Sequence, residues 1–110
     1  MAFTGIPVAD LDPALEWYER FMGRAPDMRP HDGEAAWQLT QSGWMYVVRD
    51  RERAGRGLLT LMVDDLDATL AELSERSIGA DQIEELSGGV RKATLTDPEG
   101  NNIALGQVPG

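Results

Sequence analysis

The chain has 110 residues, a net charge of −9 at neutral pH and no cysteine. That length suits one domain with its own core, and the missing cysteines exclude a disulfide framework, a thiolate nucleophile and a Cys-based metal site. Ten basic against nineteen acidic residues argue against nucleic acid as a partner, and no apolar run approaches the roughly 20 residues that cross a bilayer. The N-terminal segment has neither the basic region nor the long apolar stretch of a secretory leader, so the expected compartment is the cytosol.

Residues 3–9 predict a first strand, with Ile6 and Val8 alternating with smaller residues. Pro7 cannot donate to a ladder, which suits an edge or irregular strand. Asp12-Pro13 predicts a helix start, with Asp12 as N-cap and Pro13 in the first turn. Leu11, Leu15, Tyr18 and Met22 fall on one helical face, and Gly23 is the expected stop. Three short strands are predicted near 26–30, 34–40 and 44–49, split by the turn-like His31-Asp32-Gly33 and Ser42-Gly43. Residues 50–57 are charged and glycine-containing and read as a linker.

The same order then returns. Val8-Ala9-Asp10-Leu11-Asp12-Pro13-Ala14-Leu15 reappears 55 positions later as Val63-Asp64-Asp65-Leu66-Asp67-Ala68-Thr69-Leu70. Self-similarity over half the chain marks a duplicated unit. Residues 58–63 predict a strand. Asp67 is the expected cap of a helix carrying Leu66, Leu70 and Leu73 on one face, with Gly79 after it. Strands near 81–86, 90–96 and 102–107 follow, the last two joined by a type I turn over Asp97-Pro98-Glu99-Gly100. The prediction is an α+β fold, a single domain of two βαβββ modules at about 1–49 and 58–110.

Two motifs carry a resemblance. The opening run from Ile6 to Tyr18, with Val8-Ala9-Asp10-Leu11 at its centre, and the closing Asp97-Pro98-Glu99-Gly100-Asn101 resemble the vicinal oxygen chelate superfamily. That group contains glyoxalase I, extradiol dioxygenases, fosfomycin-resistance enzymes and bleomycin-resistance proteins. The resemblance implies a curved, cup-shaped mixed sheet with helices on its convex side and a ligand or metal in the cup. The motif residues themselves read as structural: strand ends, caps and a turn.

Metal-dependent members usually carry a ligand on the first strand of a module and another on its last. The resemblance places those positions at Phe3 and Leu58 on the first strands and at Ala104 on the final strand. Matching Gly43 with Gly100 gives Val47 as the fourth. None of these side chains binds a divalent cation, and His31, the only histidine, sits in a predicted turn. No metal and no other cofactor is expected.

Strand alternation, with Phe3 taken to face the cup, puts Leu58, Thr60 and Met62 there, together with Met45, Val47, Arg49, Asn102 and Ala104. Trp37 is added as an aromatic that can stack on a ligand. By the same count Trp44 and Tyr46 face the helix. No catalytic group stands out: Glu84 and Glu85 point to opposite faces, and Gly88-Gly89 lacks the strand-to-helix setting of a phosphate loop. The resemblance then implies a metal-free small-molecule binding protein of the bleomycin-resistance type, homodimeric, with an aromatic or cationic ligand. The alternative is an enzyme of the same superfamily, a lyase, isomerase or dioxygenase-like catalyst. It would use Arg49, Glu34 or a tyrosine without metal, or a metal held by other residues. A scaffold with no small ligand is the third reading.

Overall fold

A computed structural model describes residues 1–109. The first module runs β1 (Ala2–Val8), α1 (Leu11–Met22), β2 (Met28–His31), β3 (Glu34–Gln38) and β4 (Gly43–Arg49). The second runs β5 (Leu58–Met62), α2 (Leu66–Glu75), β6 (Gln82–Glu85), β7 (Arg91–Thr96) and β8 (Asn102–Gln107). Each module forms one mixed four-stranded sheet, in the orders β1-β4-β3-β2 and β5-β8-β7-β6. The first and last strands of a module pair in parallel and the remaining pairs are antiparallel. The two βαβββ modules predicted from the repeat are therefore present, as two sheets that adjoin where β1 passes β5.

Both helices start two residues earlier than predicted. Asp10 and Asp65 take the N-cap positions in place of Asp12 and Asp67, and the Asp65 carboxylate accepts from the Ala68 N–H at 3.0 Å. The cause is the leucine between the two aspartates. Leu11 and Leu66 are buried in the core, so the first helical turn must include them. Asp10 makes no side-chain cap. Glu99 from the other module supplies one instead, accepting from the Ala9 N–H at 3.0 Å and the Asp10 N–H at 3.2 Å. A carboxylate here also faces the positive end of the helix dipole.

α1 buries Leu11, Ala14, Trp17, Tyr18 and Phe21, a wider stripe than predicted, with Leu15 and Met22 packed at its margins. Trp17 stacks on Phe21 with centroids 5.4 Å apart and meets Tyr18 edge-on at 4.8 Å. Gly23 ends the helix in the left-handed conformation (φ 73°), as its position predicts. Ser77 takes the left-handed position after α2, ahead of Gly79.

The closing motif is more than a turn. The buried Asp97 carboxylate accepts from the Tyr18 hydroxyl at 2.7 Å, the Asn101 side-chain amide at 2.8 Å, and the Asn101 and Glu99 backbone N–H groups at 2.9 Å each. The Asn101 amide also donates to the Pro7 carbonyl at 2.8 Å, and its oxygen accepts from the Gly57 N–H. One loop of the second module thus holds the first strand and first helix of the other. The linker is docked here too: a Cβ at Gly55 (φ 81°) would meet the Glu99 carbonyl at 2.7 Å. The first copy of the repeat, with its flanking Pro7 and Tyr18, and Asp97-Pro98-Glu99-Gly100-Asn101 are two sides of one interface.

Burial pushes the Tyr18 phenol well above its ordinary range, and the adjacent Asp97 carboxylate reinforces the shift by its charge and by accepting the hydrogen bond. A raised folded-state value means that this stabilisation is complete below the unfolded value of about 10 and is lost as pH rises above it. Tyr18→Phe is expected to cost about 1–2 kcal/mol at neutral pH. It is also expected to remove the tyrosine's share of the alkaline loss. Urea melts of both proteins at neutral pH and just above pH ~10 measure this, and an equal alkaline loss in the variant would contradict it.

Candidate functional site

Residues paired across strands share a face, so the registers assign every side chain to one side of its sheet. In the first module the face turned away from the helix carries three rows. These are Phe3–Trp44–Gln38, Gly5–Tyr46–Ala36 and Pro7–Val48–Glu34. In the second they are Leu58–Asn102–Thr96, Thr60–Ala104–Thr94 and Met62–Gly106–Lys92. The opposite faces carry Ile6, Ala35, Trp37, Met45 and Val47, and Ala93, Leu95, Ile103 and Leu105, all in the buried core.

Six of the ten residues expected in the cup therefore lie on the helix-free faces: Phe3, Leu58, Thr60, Met62, Asn102 and Ala104. Trp37, Met45 and Val47 do not. Each is 0% exposed in the core, and Trp37 lies against Tyr18 with its indole donating to the Arg24 carbonyl. Arg49 pairs with Val8 and continues the Met45–Val47 side of the strand to its exposed end. Trp44 and Tyr46, expected against the helix, occupy the helix-free face instead.

The reason is a one-residue difference in loop length. The connection between β3 and β4 covers 39–42, whereas that between β7 and β8 covers 97–101. Phe3 pairs with Trp44 and Leu58 pairs with Asn102, so β4 and β8 correspond at an offset of 58. Matching Gly43 with Gly100 gives 57, and a one-residue slip turns every side chain of a strand to the other face. With the offset corrected, the counterpart of Ala104 is Tyr46.

The first module thus presents an aromatic surface. Phe3 is 51% exposed and stacks on Trp44, with centroids 5.9 Å apart and planes inclined by 18°. Tyr46 lies over Gly5, where a Cβ would come within 2.5 Å of its ring; glycine there lets the phenol lie flat across the first strand. The Trp44 indole N–H is buried and has no acceptor among the described residues. The second module is aliphatic where the first is aromatic: Leu58 and Met62 are 76% and 58% exposed. A Cβ at Gly106 would meet the Met62 sulfur at 2.9 Å, so this glycine seats Met62 much as Gly5 seats Tyr46.

A cleft of about 470 Å³ opens between the sheets. Ala2, Thr4, Leu39, Thr40 and Trp44 line one side, and Leu59–Val63 line the other. Two further hollows are present: one, lined by Arg24, Asp27 and residues 38–41, adjoins the cleft through Leu39 and Thr40, and the other lies around Glu16, Arg20, Arg24 and Arg76. Arg76 there is already engaged, donating to the carbonyls of Arg20 and Phe21.

Residues 3–106 match the family model described as a glyoxalase-like domain. The chain belongs to the glyoxalase-like domain family. The crystal structure of a glyoxalase/bleomycin resistance protein from Catenulispora acidiphila is similar at 44% identity, covering 98% of this chain and 97% of that one, with a TM-score of 0.93. An antibiotic-binding protein from a Streptomyces species is 26% identical over 97% of this chain and 93% of its own, with a TM-score of 0.76. A bleomycin-binding protein complexed with bleomycin is 22% identical, with coverage of 99% and 98% and a TM-score of 0.78, a likeness of fold alone. No curated protein matches the chain.

The resemblance read from the sequence, with the β4 offset corrected, places the metal positions of metal-dependent relatives at Phe3, Tyr46, Leu58 and Ala104. Three are hydrocarbon, and the fourth offers one phenol. That donor set does not fit a divalent cation, which takes imidazole or carboxylate ligands. No group of three or more His, Cys, Asp or Glu lies together among the described residues.

Proposed function

We propose that this protein binds a small aromatic or cationic molecule without a metal, in the manner of a bleomycin-resistance protein. One observation carries the reading: where the resemblance would place metal ligands, this chain has the exposed Phe3, stacked on the half-buried Trp44, and Tyr46. An aromatic surface beside an apolar cleft is the usual character of a small-molecule site, with few polar groups to set orientation. The solved structure of the 26%-identical antibiotic-binding protein supports the same direction. A second copy of the chain and a cytosolic setting belong to this proposal as its expected context.

The three tryptophans give the test. Trp17 and Trp37 are buried in the core, while Trp44 is part of the aromatic surface. Titration with a panel of planar and cationic compounds is expected to quench the intrinsic fluorescence saturably. Trp44→Phe is expected to remove about half of the amplitude or more, since ring contact quenches the indole that is touched. A panel that leaves the emission unchanged, or quenching untouched by Trp44→Phe, would overturn the assignment.

A further inference from the structure

Resting on the binding reading above, we propose that the ligand is recognised as a flat, uncharged ring system and not as a cation. The net charge of −9 points the other way, because an acidic protein attracts cations. Charge acts at a site only from nearby, however. The Debye length is about 8 Å at physiological ionic strength.

The distribution of carboxylates decides the matter. Asp27 accepts from the Gln38 backbone N–H beside the first row but is paired with Arg24 at 3.1 Å, and the only acidic side chain on the three rows of the first module is Glu34, in the last of them. Two rows are four residues along the strand, or roughly 13 Å from the Phe3–Trp44 row. The Glu34 carboxylate also lies 3.4 Å from the His31 Nε2. In the second module the charges on this face are Lys92 on β7 and Glu84 on the edge strand β6, both away from β5. Glu84 lies opposite Lys92, and Asp81, just before β6, accepts from the Thr96 hydroxyl at 2.6 Å. The 470 Å³ cleft has no ionisable side chain in its lining, although a quarter of the chain is charged. The polar side chains in its lining are those of Thr4, Thr40 and Thr60.

A cation moved into such a lining would lose its hydration with no counter-charge to replace it. Cation–π attraction to the half-buried Trp44 returns about 0.5–1 kcal/mol at an exposed ring and about 2 kcal/mol at a desolvated one, less than the dehydration of an unpaired charge costs. A neutral ring gains the full stacking and apolar burial and loses nothing, and neutral carbonyl or hydroxyl substituents can meet the threonines. The acids outside the cleft lining keep the protein soluble, and the nearest, Asp27, is already paired with Arg24.

The test uses two tricyclic probes of similar shape, acridone (neutral) and N-methylacridinium (cationic), titrated into the full-length protein at about 50 and 500 mM NaCl. Acridone is expected to bind at least as tightly as the cation, to within about threefold, with less than a twofold change across the salt range. N-methylacridinium binding more than about tenfold tighter, with an affinity that falls steeply in salt, would overturn the inference while leaving the binding function intact. Binding of neither probe, in a protein whose self-association is abolished by Trp44→Ala, would make the aromatic face a contact between copies and overturn both. Phe3→Leu, at an exposed side chain, serves for the same comparisons if Trp44→Ala fails to fold.

Discussion

Asp97→Ala is expected to destabilise the protein by about 4 kcal/mol, the largest loss of any single polar substitution in the chain. The carboxylate is buried and accepts four hydrogen bonds from Tyr18, Glu99 and Asn101. Hydrogen bonds to a charged group contribute about 1.5–3 kcal/mol each, but they are not additive when they share one acceptor. Removing the acceptor strands the Tyr18 hydroxyl and the Asn101 amide away from water. It also releases the loop whose Glu99 caps α1 and whose Asn101 holds Pro7 and Gly57. Against a total stability of about 5–15 kcal/mol for a domain, the urea midpoint should fall by about 2 M with little change in slope. Tyr18→Phe, which loses one partner only, should cost well under half as much. A loss below about 1 kcal/mol for Asp97→Ala would mean that the motif is a surface turn after all.

Trp44→Ala is expected to weaken binding of a planar ligand by about 30- to 100-fold, the loss of some 2–3 kcal/mol typical of a central aromatic anchor. Trp44→Phe keeps a ring and should cost only a few-fold. Arg49→Ala should change affinity less than about twofold, because it lies at the exposed end of the opposite side of β4. Val47→Ala should lower stability by about 1–3 kcal/mol through its cavity while sparing affinity. Calorimetric titration of these variants separates the two faces of β4. A large affinity loss in Arg49→Ala with none in Trp44→Ala would reverse the assignment of faces.

The duplication, the strand and helix order and the family were legible in the residues, because they rest on patterns that repeat. Val8/Val63, Leu11/Leu66 and Leu15/Leu70 carry the periodicity twice, and Gly23 and Gly100 mark their turns. The helix starts were misplaced because Asp-Leu-Asp offers two caps, and only the burial of Leu11 and Leu66 selects the first. The site was half legible. Phe3, Leu58, Thr60, Met62, Asn102 and Ala104 follow from the alternation on β1, β5 and β8, where it is unbroken. On β4 the alternation of Trp44-Met45-Tyr46-Val47 is apolar on both faces, so it does not say which face is inside. The face then hung on a turn one residue shorter than its counterpart. A usable signal was Gly5: a glycine within a predicted strand marks a place where something approaches closely, and here it is the ring of Tyr46. The contacts of Asp97 and Asn101 join residues 79 and 94 positions apart, beyond the reach of local pattern.

The central claim is that the aromatic face binds its ligand without a metal. Fluorescence titration of the wild-type protein with a planar aromatic ligand, with and without excess EDTA, tests it most directly. The account predicts saturable quenching with the same affinity in both. Quenching that disappears in EDTA and returns with an added divalent metal would contradict it, and would mean that the ligand is held through ions at residues other than Phe3, Tyr46, Leu58 and Ala104.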